Sequence, residues 1–598
     1  MKYDLIVISG NSLDSSPSLV LSFEDSIYIF NIPDQTQRLF REKKVKIGKL
    51  KHAFFTSLHS KCIGGFYGLL ITAFDLKSSN ISISAPKGLN LVLDSYHSLH
   101  SQENLRPTIV NSYFDDNITV KEHHLLVSIA YEVKMREIPG KFLVQKAKAL
   151  GIPPGPVYRE FTEGKSVTLS DGRVIHPSEV LGDPTPGETI LFIDCYSHEE
   201  VKLLPSSFDS VDFVVHFTSI EIMLSPEYLA HFDTSKRAIC FIPSQSVTFT
   251  SIALLYTSII SLYPTLFSPL VINSKAYNAK GLEYMTIGFP GLSYLFSPPE
   301  KKSFIYPEPE TETISENEEL PLPIFDSFMV TFLGTGSMYP SKYRNVAGIL
   351  IHAKSGFILF DSGEGTVGQL RRRFGKKNSE IILKNLLLIF VSHNHGDHQF
   401  GLYQLLQERA KTTNVPVPLI CHETLNNHLQ EIENNSGFGS LCFAHSSDTC
   451  FETGTIKLET IPVVHCRGSK ACVLTVDGGY RIAYSGDRGF NDNFPEIVSA
   501  CDLMIHEATF SDDLSKLAEE KRHSTMSQAV ATGQRANAQF LILTHFSQRY
   551  PKIPVFDTNS SNIGFAFDYL TIRFEEIKQF CSNCSTIFQK ILELEQLE

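Results

Sequence analysis

The 598-residue chain has no apolar run that would span a bilayer; the nearest, Phe249 to Leu266, is broken by Ser and Thr and by Pro264. It has no low-complexity tract. It also lacks a disulfide framework, because its 11 cysteines are odd in number and scattered, which fits a reducing compartment. Cys581-Ser-Asn-Cys584 is a lone C-x-x-C in a helical pattern, and packing is its expected role. Positive charge is not in excess either: the formal net charge is −12, so binding to a polyanion would need a local patch. The first residues, Met1-Lys-Tyr-Asp-Leu-Ile-Val-Ile, enter a strand pattern at once and leave no room for a leader, so nucleus or cytoplasm is expected, and a mitochondrial address would need an internal signal. The length exceeds what one core fills and implies at least two domains.

What is present concentrates in His393-Asn-His395-Gly-Asp397-His398, four metal-capable side chains within six residues. The stretch follows the apolar run Leu386 to Val391, a buried-strand pattern, and precedes a helical pattern with Leu402, Leu405 and Leu406 on one side. In extended backbone alternate side chains share a face, so His393 and His395 can address one ion. Asp397 and His398 follow the turn and suit a second ion nearby. Further candidates end their own strand patterns: His465 after Thr460 to Val464, Asp487 after Arg481 to Gly486, and His545 after Phe540 to Thr544. Strands that deliver their last residues to one rim are how α/β and sandwich folds build sites. Histidine and carboxylate without thiolate favour Zn²⁺, with Mn²⁺ or Fe²⁺ as substitutes.

These motifs resemble the metallo-β-lactamase hydrolases. Phe332-Leu-Gly-Thr-Gly-Ser337, Pro340-Ser-Lys-Tyr-Arg-Asn345, Phe360-Asp-Ser-Gly-Glu-Gly-Thr366, His506-Glu-Ala-Thr509, His523-Ser-Thr525 and Thr544-His-Phe-Ser-Gln-Arg-Tyr550 narrow the likeness to the long form of tRNase Z. The resemblance implies a four-layer αβ/βα sandwich and an endonuclease that cuts precursor tRNA 3′ of the discriminator nucleotide. It implies one ion on His393, His395 and His465, another on Asp397, His398 and His545, and Asp487 bridging them. Asp397 would also take a proton from the attacking water, and His523, kept protonated by Glu507, would give one to the leaving 3′-oxygen. His506 is left as a supporting hydrogen-bond partner, and His352 and His422 read as structural. The chain departs from the family after Asp487, with Arg488-Gly-Phe490 for Thr-Arg-Pro, and after His465, with Ser469-Lys-Ala for Ala-Phe-Gly. Both departures put discrimination of the tRNA end in doubt rather than catalysis.

The chain looks duplicated. Ile27-Tyr-Ile-Phe-Asn31 parallels Phe357 to Asp361, Gln37-Arg-Leu39 parallels Gly368-Gln-Leu370, and Phe54 to Gly65 parallels Ile389 to Gly401. That alignment sets Ser57, His59, Lys61 and Cys62 against His393, His395, Asp397 and His398, and a lysine in place of a carboxylate would repel a dication. Residues 1–300 therefore read as a degenerate copy, 301–325 as an acidic Pro-rich linker, and 326–598 as the catalytic copy. Within the first copy, about 134–185, Lys141 to Leu150 reads as a short basic helix. Pro and Gly then predict a stiff projecting loop. It resembles the family's tRNA-holding arm, with Lys141, Lys146, Lys148, Gly155, Pro156 and Arg159 as candidate RNA contacts. A covalent duplication predicts a monomer. The rival readings are a hydrolase of small esters, thioesters or lactams with the same ligands, and a binding protein with a relic site.

Overall fold

The structure is a computed structural model that describes residues 3–76, 81–100, 106–138, 140–244, 248–262, 270, 282, 284–297, 299–307, 328–447, 449–476, 478–490, 493–549 and 561–595. Most of the expected linker lies outside these residues. Ser303–Ile305, inside its expected range, is instead an edge strand of the first half, antiparallel to Ser293–Leu295.

Each half is a pair of mixed sheets. In the second half one sheet runs, in spatial order, Phe443–Ser446, Val417–Ile420, Leu386–Phe390, Gly356–Phe360, Gly348–Ala353, Met329–Gly334 and Thr571–Arg573. The other runs Cys450–Thr453, Ile456–Pro462, Lys470–Val476, Tyr480–Tyr484, Leu503–Glu507, Phe540–Thr544 and Ile563–Phe565. Strands such as Gly348–Ala353 and Phe540–Thr544 are buried throughout, because one face meets the opposite sheet and the other is covered by helices. Phe360 and Tyr484 stack across the gap between the sheets.

The first half repeats this plan, with sheets of eight and six strands among the described residues where the second half has seven and seven. Tyr3–Ser9, Ser18–Phe23, Ile27–Phe30, Leu50–Phe54, Ser82–Ser84 and Thr108–Ile109 pair with the same sequence of antiparallel and parallel contacts as the strands from Met329–Gly334 to Phe443–Ser446. In the second sheet Ile129–Met135 and Thr189–Ile193 correspond to Lys470–Val476 and Tyr480–Tyr484. The second half joins its two strands by a tight turn, whereas the first half inserts the whole segment from Arg136 to Glu188.

That insertion corrects one expectation. It is no irregular loop: Val144–Ala149, Val157–Thr162 and Pro177–Val180 are helical, Val167–Thr168 pairs with Val174–Ile175, and Ala147, Ile152, Phe161, Val167, Ile175 and Val180 close a small core of their own. The helix expected at 141–150 is confined to Val144–Ala149, and the prolines and glycines turn the chain between short elements. The detailed register of the duplication also shifts. The matching helices begin at Thr36 and Thr366, each capped by a left-handed residue, Gln35 (φ 70°) and Gly365 (φ 89°). Leu39 therefore stands opposite Gln369, one residue from the pairing that side-chain type suggested.

The halves are not beads on a tether. A single apolar cluster runs from the second half into Ile252 and Tyr256 of helix Thr250–Leu262, whose Tyr256 hydroxyl donates to the Tyr569 carbonyl at 3.2 Å. At the centre of the contact the two cap turns bind each other reciprocally. The Gln35 amide donates to Glu364 Oε1 at 2.6 Å, and the Gly365 amide donates to Asp34 Oδ2 at 2.8 Å. Burial raises the Asp34 carboxyl to about 7, and burial together with Asp34 raises Glu364 well above the carboxylate range. Both groups hold protons in the folded state that the unfolded chain releases above about pH 4. Their contribution is therefore present below that pH and is lost as pH rises toward 7. Glu364→Gln should flatten this loss, read as a smaller drop in urea midpoint between pH 4 and 7 than in the unaltered protein; an unchanged drop would exclude Glu364 as its source.

Candidate metal centre and cleft

The candidate ligands follow the carboxyl ends of four strands, one in the first sheet and three alternate strands in the second. Leu386–Phe390 delivers His393, a four-residue helix Gly396–Gln399 carries Asp397 and His398, and Ile456–Pro462, Tyr480–Tyr484 and Phe540–Thr544 lead to His465, Asp487 and His545. The strand, loop and helix expected around His393 are all found. Gly363 lets the neighbouring loop press in, since a Cβ there would come within 2.2 Å of the Asp397 carbonyl oxygen.

The seven residues meet in two groups. His395 Nδ1 lies 3.0 Å from His393 Nε2 and 3.1 Å from His465 Nε2. His545 Nε2 lies 3.1 Å from His398 Nε2 and 3.2 Å from Asp397 Oδ2. Asp487 stands between them, with Oδ2 3.6, 3.7 and 3.3 Å from His393, His465 and His398 and Oδ1 3.4 Å from His545 Nδ1. Asp487 Oδ1 is buried without a hydrogen-bond donor. A tetrahedral zinc site with bonds of about 2.0–2.1 Å needs nitrogen edges of about 3.3 Å, so the donor set and spacing fit such an ion.

The supporting bonds select which nitrogen faces inward. Asp361 takes His398 Nδ1–H at 2.7 Å, Tyr484 Oη–H at 2.6 Å and the Ser392 amide at 2.7 Å, which turns His398 Nε2 to the centre. His465 Nδ1–H donates to the Arg522 carbonyl at 2.9 Å. Thr509 Oγ–H donates to Glu507 Oε2 at 2.5 Å and accepts from His545 Nδ1–H at 2.9 Å. Asp361 (φ 56°), Met338 (φ 64°), Arg522 (φ 57°) and His545 (φ 60°) all adopt the left-handed region, and the Met338 amide donates to Asp397 Oδ2 at 2.6 Å.

Electrostatics follow from the packing. Burial pushes His393 well below its usual value and His395 down to about 4, leaving both neutral as ligands must be. Burial alone would raise Asp397 and Asp487, but the surrounding imidazoles hold both well below the carboxylate range. His523 Nδ1 lies 3.0 Å from Glu507 Oε1; burial opposes its charge, yet Glu507 raises it to about 9 and is itself held at about 2.

The centre opens into a cleft of about 860 Å³ lined by both halves: Gln37, Gly68 and Ile71 from the first, and Met338, Phe510, Lys521, His523 and Arg549 among those from the second. Two contacts brace it across the halves, Tyr339 Oη to Asp75 and Arg41 to Gln548.

Comparison with known proteins agrees with this geometry. Residues 357–546 match a β-lactamase superfamily domain, and residues 6–65 match the tRNase Z endonuclease family. Drosophila melanogaster "Ribonuclease Z, mitochondrial" is 28% identical over 99% of this chain and 89% of its own length. Arabidopsis thaliana "tRNase Z TRZ3, mitochondrial" is 27% identical over 94% and 83%, and human "Zinc phosphodiesterase ELAC protein 2" is 26% identical over 95% and 84%. The crystal structure of a long form RNase Z from yeast superposes over 99% of both chains with a TM-score of 0.74 at 17% identity. The chain is similar over nearly its whole length to proteins named ribonuclease Z or tRNase Z, and it shares the fold of the yeast long form.

Against that family the two departures fall behind the cleft wall. Arg488 is fully buried, 2.8 Å from His506 Nε2 and 5.0 Å above the Phe494 ring, while its amide donates to Glu507 Oε1 at 3.0 Å. His506, left as a supporting hydrogen-bond partner on sequence, bonds Arg488. Ser469 is buried against Cys466, and the Lys470 amide donates to the Ser392 carbonyl. Neither Arg488 nor Lys470 lines the cleft. His352 bonds Thr331 and His422 caps helix Glu423–Ser436, both structural; buried Cys584 accepts the Phe565 amide, a packing role. Tyr550 lies outside the described residues. Lys141, Lys146, Lys148, Gly155, Pro156 and Arg159 are exposed on the inserted segment, and none of them lines the cleft.

In the degenerate half the corresponding space is taken. Lys61 reaches Asp194 at 3.5 Å and lies over the Tyr196 ring, and Tyr196 Oη bonds Ser57 at 2.8 Å. Asn31 (φ 60°) repeats Asp361, accepting the Thr56 amide as Asp361 accepts Ser392. Burial lowers the His59 imidazole to about 3, and its Nδ1 accepts the Lys61 amide.

Sequence reasoning missed Asp361, Thr509 and Cys466. The first two sat inside quoted motifs, and only their bonds reveal what they do. Cys466 joins His393, His395 and His465 as a fourth potential donor within 4.8 Å, signalled only by adjacency to His465. Asp361→Asn should weaken zinc affinity by about 10–100-fold in chelator competition; equal affinity would show that the carboxylate does not orient His398.

Proposed function

We propose that this chain is a metal-dependent endoribonuclease that removes the 3′ trailer of precursor tRNA, cutting 3′ of the discriminator nucleotide. The observation that carries the reading is the convergence of His393, His395 and His465, and of Asp397, His398 and His545, on buried Asp487 at the floor of a cleft. We assign one zinc to the first trio and one to the second, shared through Asp487, with manganese as a substitute. Bound there, the ions would supply Lewis acidity for phosphoryl transfer and lower the pKa of the attacking water.

The chain's own groups do the rest. Asp397 Oδ2 is held by the Met338 amide, which leaves Oδ1 to orient the attacking water and accept its proton. His523 gives Nδ1–H to Glu507 and keeps Nε2–H for the departing 3′-oxygen, which leaves as a hydroxyl while the trailer carries the 5′-phosphate. The exposed lysines of the inserted segment would hold the tRNA body, and one chain carries both an arm and a site, as a monomer requires. No described helix is long and apolar enough to cross a membrane. Two relatives are named mitochondrial, so a mitochondrial address stands beside nucleus and cytoplasm.

The test is single-nucleotide mapping of the ends produced from one trailered precursor, with and without chelator. A chelator-sensitive cut after the discriminator that leaves a 3′-hydroxyl, and is abolished by Asp397→Ala, is expected; folded, zinc-loaded protein that does not cut would sink the reading. His523→Ala should cost about 10²–10⁴ in kcat. His523 is protonated below about 9, so the decline in rate as pH rises through that value should disappear in the variant. A decline that persists would assign the proton to another group.

A further inference from the structure

Positive charge is not confined to the inserted segment. From 134 to 188 eight basic residues face seven acidic ones, and three of the basic side chains are already paired: Arg159 and Lys165 with Glu163, and Arg173 with Asp171. Residues 41–51, Arg-Glu-Lys-Lys-Val-Lys-Ile-Gly-Lys-Leu-Lys, hold six basic residues and one acid. That acid is turned away, with Glu42 Oε1 accepting the Ser251 amide at 3.1 Å. Lys44, Lys46 and Lys51 are exposed and Lys43 half-exposed, and none forms a salt bridge among the described residues.

The backbone beneath them is ordered. Helix Thr36–Glu42 is closed by Lys43 N–H to the Leu39 carbonyl at 2.8 Å and Val45 N–H to the Phe40 carbonyl at 2.8 Å, and Ile47–Lys49 forms a single 3₁₀ turn before strand Leu50–Phe54. The same helix leads out of the cleft. Gln37 lines the cleft, and Arg41, one turn later on the same face, reaches Gln548 on its wall. At 1.5 Å per residue the first free lysines stand about 10 Å along the chain from Gln37.

In the duplicated copy the residues opposite Arg41 and Lys43 are tied down. Arg371 pairs with Glu408 and Arg373 donates to Thr571, whereas Lys376, opposite Lys46, is exposed like it. Unpaired like charges crowded on one strip repel one another in a protein whose net charge is −12. A polyanion would relieve that repulsion.

We propose that Lys43, Lys44 and Lys46 form a phosphate-binding strip for the precursor RNA just outside the cleft, distinct from the inserted segment. The inference rests on the endoribonuclease reading. The strip binds backbone without reading bases, so it contributes counterion release and positions the strand entering the cut site.

The test is a Lys43→Gln, Lys44→Gln, Lys46→Gln variant, with the matching triple arginine variant, both in an Asp397→Ala background. Binding of a trailered precursor tRNA is measured from about 50 to 200 mM KCl. Three lost contacts should make the slope of log K against log salt shallower by roughly 2. The arginine variant should keep the original slope, and thermal midpoints should stay unchanged in both. An unchanged slope in the glutamine variant overturns the proposal. So does an equal loss in the arginine variant, which would mark packing rather than charge. Failure of the unaltered protein to cut the precursor would instead overturn the endoribonuclease reading, and the strip's role with it.

Discussion

The second half is organised around one buried carboxylate. Asp487 is almost wholly removed from water, and five imidazoles lie within 4 Å of its oxygens: His393, His398, His465, His523 and His545. A charge so buried is tolerable only with compensating partners. Four of the partners follow strands of the two sheets, Leu386–Phe390, Ile456–Pro462 and Phe540–Thr544, so the register of both sheets is tied to this point. A shift of one residue in any of those strands would turn its ligand away from the cleft.

The supporting shell extends the same constraint outward. Asp361, Thr509 and the Arg522 carbonyl each take the outer proton of one imidazole, and strained left-handed turns hold the backbone where those bonds can form. Tyr339 and Gln548 then link the cleft wall to Asp75 and Arg41 of the other half. The degenerate copy therefore builds part of the cleft while its own ligand positions are filled by Lys61, Asp194 and Tyr196.

Duplication explains how one chain combines these roles. The strand pairing is the same in both halves, yet one joins its central strands by a tight turn and the other inserts a small structured segment between them. The helix after the third strand has diverged as well, being seven residues long in the first copy and nineteen in the second. Divergence has thus fallen on connections and surfaces, while the buried pairing persists because both faces of each sheet are covered.

The cluster of histidines and aspartates, the two-sandwich architecture and the duplication were legible in the sequence, because metal chemistry demands particular side chains and buried strands demand apolar runs. The family resemblance also implied His523 beside Glu507, and the two lie 3.0 Å apart. Tertiary structure alone decided the order in the inserted segment, where short helices close a core too small to leave a periodic signal, and the place of Ser303–Ile305 as an edge strand. It also decided the true register at Leu39 and the burial of Arg488 behind the cleft. The roles of Asp361 and Thr509 and the nearness of Cys466 belong to the same class: each depends on which atoms meet across strands distant in sequence, and residue identity does not encode those distances.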